Sequence, residues 1–120
     1  MEKYSEWPRE WNCSDEDEKL SKELTSIFKG FLTMLKESNL SEKTIRRHKS
    51  SCHALGGYII SEIFGYEHDI ELAELPPKEI LNNYITQYEG PLIYPQHETW
   101  QKEIDSTCKK LFKFINQQRT

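Results

Sequence analysis

Leu40-Ser41-Glu42-Lys43-Thr44-Ile45-Arg46-Arg47-His48-Lys49-Ser50-Ser51-Cys52-His53-Ala54-Leu55-Gly56-Gly57-Tyr58-Ile59-Ile60-Ser61-Glu62-Ile63-Phe64 decides how this chain folds. Ile45, His48, Cys52, Leu55, Ile59 and Ile63 recur every three or four residues and make one apolar helical face. Ser41 is a natural N-cap, and Leu40 and Ile45 stand at the two positions of a hydrophobic staple. At ~100° per residue, Lys43, Arg46, Ser50 and His53 fall on the opposite face, with Arg47 beside them. Gly56-Gly57 interrupts the pattern at a cost of ~1 kcal/mol per glycine relative to alanine. The pair implies either a bend or the close approach of another helix.

A second amphipathic stripe precedes this one. Leu20, Leu24, Ile27, Phe28, Phe31, Leu32 and Leu35 keep helical spacing. Ser14 is the expected cap, with Asp17 at the capping-box distance, and Asn39 the expected stop. The acidic run Asp15 to Glu18 complements the positive end of the helix dipole, so it has a structural reason to exist. Ahead of it, residues 1–13 have no clean period, but Trp7 and Trp11 stand i,i+4 around Pro8. The arm is expected to lay one indole on the core, since apolar residues this large find the nearest one; the other reading is a partner-docking segment.

Downstream, residues 66–75 read as an acidic connector. Pro76-Pro77 announces a third long helix, with Ile80, Leu81, Tyr84, Ile85 and Tyr88 as its buried stripe and Gly90-Pro91 as its end. Leu92-Ile93-Tyr94-Pro95 is a short apolar loop expected to lie across the core. A fourth helix is predicted from about Gln96 to Gln117. Trp100, Ile104, Cys108, Leu111 and Ile115 would face inward, with Phe112 at the edge. Lys102, Ser106, Lys109 and Lys113 would face outward, flanked by Lys110. No strand alternation and no internal repeat appear. The expected architecture is all-α, one four-helix domain over residues 14–120 with a partly ordered arm over 1–13.

Charge is unevenly distributed. The 120 residues carry a net charge of −4. Residues 38–64 carry +2 and 100–120 carry +3, while 1–37 carry −3 and 65–99 carry −6. The surplus cations therefore sit on the outer faces of two helices. Arg46 and Arg47 have the chemistry to clamp phosphates, Ser41 and Thr44 add donors at a helix start, and His53 on the outer face suits a phosphate. Solvated lysines and arginines are also ordinary surface, so one such stripe means little; two point to nucleic acid.

Other chemistry is poorly provided for. His48 and Cys52 have a spacing that chelates zinc, but no second pair supplies the remaining ligands, and both lie on the apolar face. No GxSxG, phosphate-loop or dinucleotide fingerprint occurs. No metal, cofactor, small-molecule substrate or enzymatic activity is expected. Cys13, Cys52 and Cys108 form an odd, unclustered set suited to a reducing compartment. No secretory leader or membrane-spanning stretch is apparent, so a cytoplasmic protein without membrane contact is expected.

Phe31-Leu32-Thr33-Met34-Leu35, then Asn39-Leu40-Ser41-Glu42-Lys43-Thr44-Ile45-Arg46-Arg47-His48, resembles the N-terminal core-binding domain of tyrosine recombinases, the phage integrases. That family shows a helix ending in an F-x-x-x-L pattern and a turn reading roughly L-S-x-x-T-I-x-x-Y or H. Its last helix, L-x-x-F-x-x-F-L, is similar to Ser106 through Ile115. The resemblance covers about residues 17–117 and is sharpest at Leu40–Ile45. It implies a four-helix SAM-like bundle that grips one face of duplex DNA. Position by position, the implied contacts are Lys43, Thr44, Arg46, Arg47 and Ser50, then Lys102, Lys109, Lys110 and Lys113. The chain departs from the family in ending at Thr120, without room for a catalytic domain, and none of its six tyrosines is assignable as a nucleophile. A non-catalytic DNA-binding domain is the expectation. The alternative is a helical protein-interaction module using the acidic 65–98 segment, the apolar loop or the tryptophan arm.

Overall fold

The computed structural model describes residues 7–11, 15–65 and 70–117, except the side chains of Glu16 and Ile70. The expected Ser14 cap, Cys13, the arm outside residues 7–11 and residues 66–69 of the connector lie outside these residues. Six helices follow in order: α1 (Trp7–Glu10), α2 (Asp15–Glu37), α3 (Glu42–Phe64), α4 (Ile70–Ala73), α5 (Pro77–Tyr84) and α6 (Glu98–Ile115). There is no strand among the described residues.

α2 and α3 are each 23 residues long, about 35 Å at 1.5 Å per residue. They are joined by a tight turn in which Asn39 takes φ 64°, the left-handed conformation asparagine tolerates. Ser41 caps α3 by accepting from the Thr44 amide at 3.2 Å, as its position predicts. The two helices run antiparallel. Phe31 meets His48 (ring centroids 6.4 Å apart), Trp7 bridges Phe28 and His53, and Leu20 shares a cleft with Phe64. Leu24, Phe28, Phe31, Leu32, Leu55, Ile59 and Ile63 are fully buried, so both apolar stripes face the core as read.

α6 closes the third side of the bundle and runs antiparallel to α3. His48 pairs with Thr107, and Ser51 shares a cleft with Ile104. Ile104, Cys108, Leu111 and Ile115 are buried, as the spacing predicts. Trp100 is not. It is 50% exposed, stacked on His97 in the first turn of α6, while the core position one turn further on is filled by Ile104.

α5 is shorter than predicted. It ends at Tyr84, and Ile85 turns extended (φ −120°, ψ 155°) while staying buried. The cause is Thr86. Its hydroxyl accepts from the amides of Tyr88 (3.1 Å) and Glu89 (3.0 Å), and its own amide donates to the Glu89 carbonyl (2.8 Å). This local turn outcompetes helix continuation. Tyr88, expected in the buried stripe, is therefore 73% exposed. α5 is tied to the end of α6 by a reciprocal pair of amide bonds between Asn82 and Asn116 (3.0 and 2.8 Å).

The glycine pair does not interrupt α3, which runs unbroken from Glu42 to Phe64. Trp11 lies on it. A β-carbon on Gly56 would collide with the Trp11 six-membered ring, and one on Gly57 would stand 3.2 Å from its Cδ1. The indole Nε1 donates to the His53 carbonyl at 2.9 Å. Trp7 and Trp11 are only 5% and 6% exposed, so the arm uses both indoles as core rather than one. Between the expected connector's ends, residues 70–73 form the single helical turn α4.

Candidate nucleic-acid interface

The antiparallel register of α3 and α6 decides where the cations go. The N-terminal turns of α3 and the C-terminal turns of α6 sit at the same end of the bundle, beside the end of α2. Leu40, Lys110, Lys113 and Phe114 line one cleft of about 280 Å³ there, together with Met34 and Leu35 of α2. Lys43, Arg46 and Arg47 are exposed on the first turns of α3, and Lys109, Lys110 and Lys113 are exposed on the last turns of α6.

Arg47 reaches across the seam. Its Nε lies 3.7 Å from Glu103 Oε1, an exposed contact of little energetic weight that nonetheless fixes which edge of α6 adjoins it. Beneath it, His48 Nδ1 is 2.7 Å from Thr107 Oγ1 in the buried seam. Burial lowers the His48 pKa below its usual value; Lys110 acts in the same direction and Glu103 opposes both. Thr107 was not singled out in the sequence. Its only signal is its place on the α6 edge that carries Glu103, Lys110 and Phe114.

The remaining sequence-derived candidates are placed less favourably. Thr44 is half-buried, and its hydroxyl accepts from Ser41 Oγ at 2.9 Å, which leaves only its own proton to offer. Ser50 is exposed but lines a cleft with Tyr94 and Trp100. Lys102 pairs with Glu98 at 3.2 Å, one turn back on α6. It lies eleven positions before Lys113, about 16 Å along the axis. His53 was read as an outer-face phosphate ligand. Its Nε2 instead meets Glu10 Oε1 at 2.9 Å, and its ring packs against Trp7 and Trp11. The arm therefore occupies the middle of α3, where that contact was expected, and it carries a carboxylate there.

Cys52 and Cys108 are buried free thiols. Burial pushes the Cys52 pKa well up, and pushes that of Cys108 up to about 12, with Asp105 adding to it. Neither is a nucleophile or a ready thiolate ligand. Among the described residues no three His, Cys, Asp or Glu side chains gather as a metal site, and no helix is long and apolar enough to cross a membrane.

Residues 85–97 form a pinned loop. Gln101 holds it from α6: its Oε1 accepts from the amides of Ile93 and Tyr94, both at 2.9 Å. Its Nε2 donates to the Pro91 carbonyl (2.9 Å) and to Asp105 Oδ1 (3.0 Å). Asp105 Oδ1 also accepts from the Gly90 amide at 3.2 Å. Ile93 and Tyr94 pack against the core as expected of the apolar loop, whereas Leu92 is 65% exposed.

No protein-family model matches this sequence, and no curated protein or solved structure matches it significantly.

Proposed function

We propose that this chain is a non-catalytic, double-stranded-DNA-binding domain of the SAM-like, integrase core-binding type, which lays α3 and α6 along the duplex backbone. One observation supports the reading above the others: the antiparallel register of α3 and α6 brings the turns that carry Lys43, Arg46 and Arg47 and the turns that carry Lys109, Lys110 and Lys113 to the same end of the bundle. Glu103 stands inside this group and tempers it, so the reading is of backbone contact and not of base readout.

The test is a titration with random-sequence duplex DNA at two salt concentrations. Each phosphate neutralised contributes ~0.9 to the slope of log affinity against log salt. Arg46→Glu with Arg47→Glu, and separately Lys110→Glu with Lys113→Glu, should each weaken binding alike on all sequences and flatten that slope. Unchanged binding in the arginine pair removes the proposal.

A second reading is favoured by the exposure of Tyr88 and Leu92 at the tip of the acidic 65–98 region: a helical module that docks a basic protein partner. The version of it that used the tryptophan arm loses its support, since Trp7 and Trp11 are buried.

A further inference from the structure

At the start of α6, away from the cationic end of the bundle, lies a site of opposite character. Tyr94 and Trp100 stand with ring centroids 5.3 Å apart and planes at 75°, forming an aromatic corner. His97 stacks on Trp100 at 3.8 Å and 16°, covering one indole face, and Trp100 remains 50% exposed. The corner opens on a cleft of about 250 Å³ whose wall also includes Glu103, with Ser50 and Ser51 on the α3 side.

We infer that this corner binds an alkylated ammonium head, either a free quaternary ammonium compound or a methylated lysine side chain. Two perpendicular rings present their negative faces to a cation within about 6 Å of their centroids, and a weakly hydrated trimethylammonium group is the cation that loses least on leaving water. Glu103 supplies the formal counter-charge. Its present contact with Arg47 is long and exposed, and so yields readily.

The corner is also preorganised. The Gln101 carboxamide bonds the amides of Ile93 and Tyr94 at 2.9 Å each, and the His97 amide donates to the Tyr94 carbonyl at 3.1 Å. His97 Nδ1 accepts from the Trp100 amide at 3.4 Å as the cap of α6. Both rings are thus held by the same short loop before any ligand arrives, which lowers the ordering cost of binding. A solvent-facing tryptophan held in this way has no role in the core, and the inference stands whether or not the chain binds DNA.

The experiment follows the Trp100 indole amide by NMR on the full chain during titration with choline. Parallel titrations use a short peptide bearing trimethyl-lysine and 3,3-dimethylbutan-1-ol, the neutral isostere of choline. Saturable shifts are expected with choline, with the neutral isostere at least about tenfold weaker. Glu103→Gln should weaken choline binding about threefold or more while preserving shape. Trp100→Leu, followed through the backbone amide of Tyr94, should abolish it. A peptide that binds about tenfold more tightly than choline assigns the site to a side chain, and one that binds no more tightly assigns it to a free small molecule. No saturation with either cation, equal binding of the neutral isostere, or undiminished binding by Trp100→Leu would overturn the assignment.

Discussion

His48 Nδ1 and Thr107 Oγ1 meet at 2.7 Å inside the seam that joins α3 to α6, where both residues are buried. This contact ties the two helices that carry the cations, and it couples their packing to protonation. The His48 pKa is lowered in the fold, chiefly by burial. A group of this kind stays neutral in the folded chain at a pH where the unfolded chain already binds a proton. Its contribution is therefore complete above the unfolded value of about 6.5 and is lost as pH falls below it, levelling off once the folded value is passed. Melting temperature should drop between pH 7.5 and pH 5, and His48→Gln should reduce that slope. An identical slope in the variant would show that other groups carry it.

Thr107→Val conserves volume but leaves His48 Nδ1 without its hydroxyl partner. A loss of about 1–3 kcal/mol in denaturant unfolding is expected, the cost of an unsatisfied buried polar group. Thr107→Ser should recover much of it.

The fit of Trp11 on Gly56 predicts a change of sign. Gly56→Ala in the natural chain should destabilise, because the new methyl collides with the indole. In a Trp11→Ala background the three atoms nearest the new methyl are gone, and the helix-propensity gain of up to ~1 kcal/mol should make the same substitution stabilising. Urea unfolding of the four chains checks this; additive effects would mean that the two residues do not touch.

Tyr88→Ala should change stability by less than about 0.5 kcal/mol, whereas Leu24→Ala should cost about 2–5 kcal/mol. Both are large apolar residues on predicted helical stripes, but one stripe ended early. Comparable losses in thermal unfolding would place Tyr88 back in the core.

Cys52 and Cys108 should resist a disulfide reagent in the folded chain and react on unfolding, measured in a Cys13→Ser background. Burial and raised thiol pKa values both withhold the thiolate. Rapid labelling of either under native conditions would contradict their placement.

The sequence was most legible where a single helix explains itself. The stripes from Leu20 to Leu35 and from Ile45 to Ile63 define α2 and α3 closely, because amphipathic spacing and caps are local properties. It was least legible where two distant pieces complete each other. Gly56-Gly57 signalled a close approach or a bend, but nothing local named Trp11, 45 positions earlier, as the approaching group. Likewise the Thr86 hydroxyl, which ends α5, competes with a helical pattern that continues through Tyr88. On the candidate interface, the outward lysines and arginines were visible from spacing alone. That Glu103 would lie against Arg47, or that Glu10 would engage His53, depended on the register between elements. The aromatic corner was hidden for the same reason: Tyr94 read as loop and Trp100 as core, and Gln101, which holds the loop to α6, looks like any polar helical residue.

Traction applied to residues ahead of Trp7 would not be felt first at the start of α2. The indole seated on the glycine pair, with its bond to the His53 carbonyl, carries the load to the midpoint of α3. The amino end is thereby anchored in the middle of the bundle, and detachment under force should appear as one discrete rip preceding global unfolding.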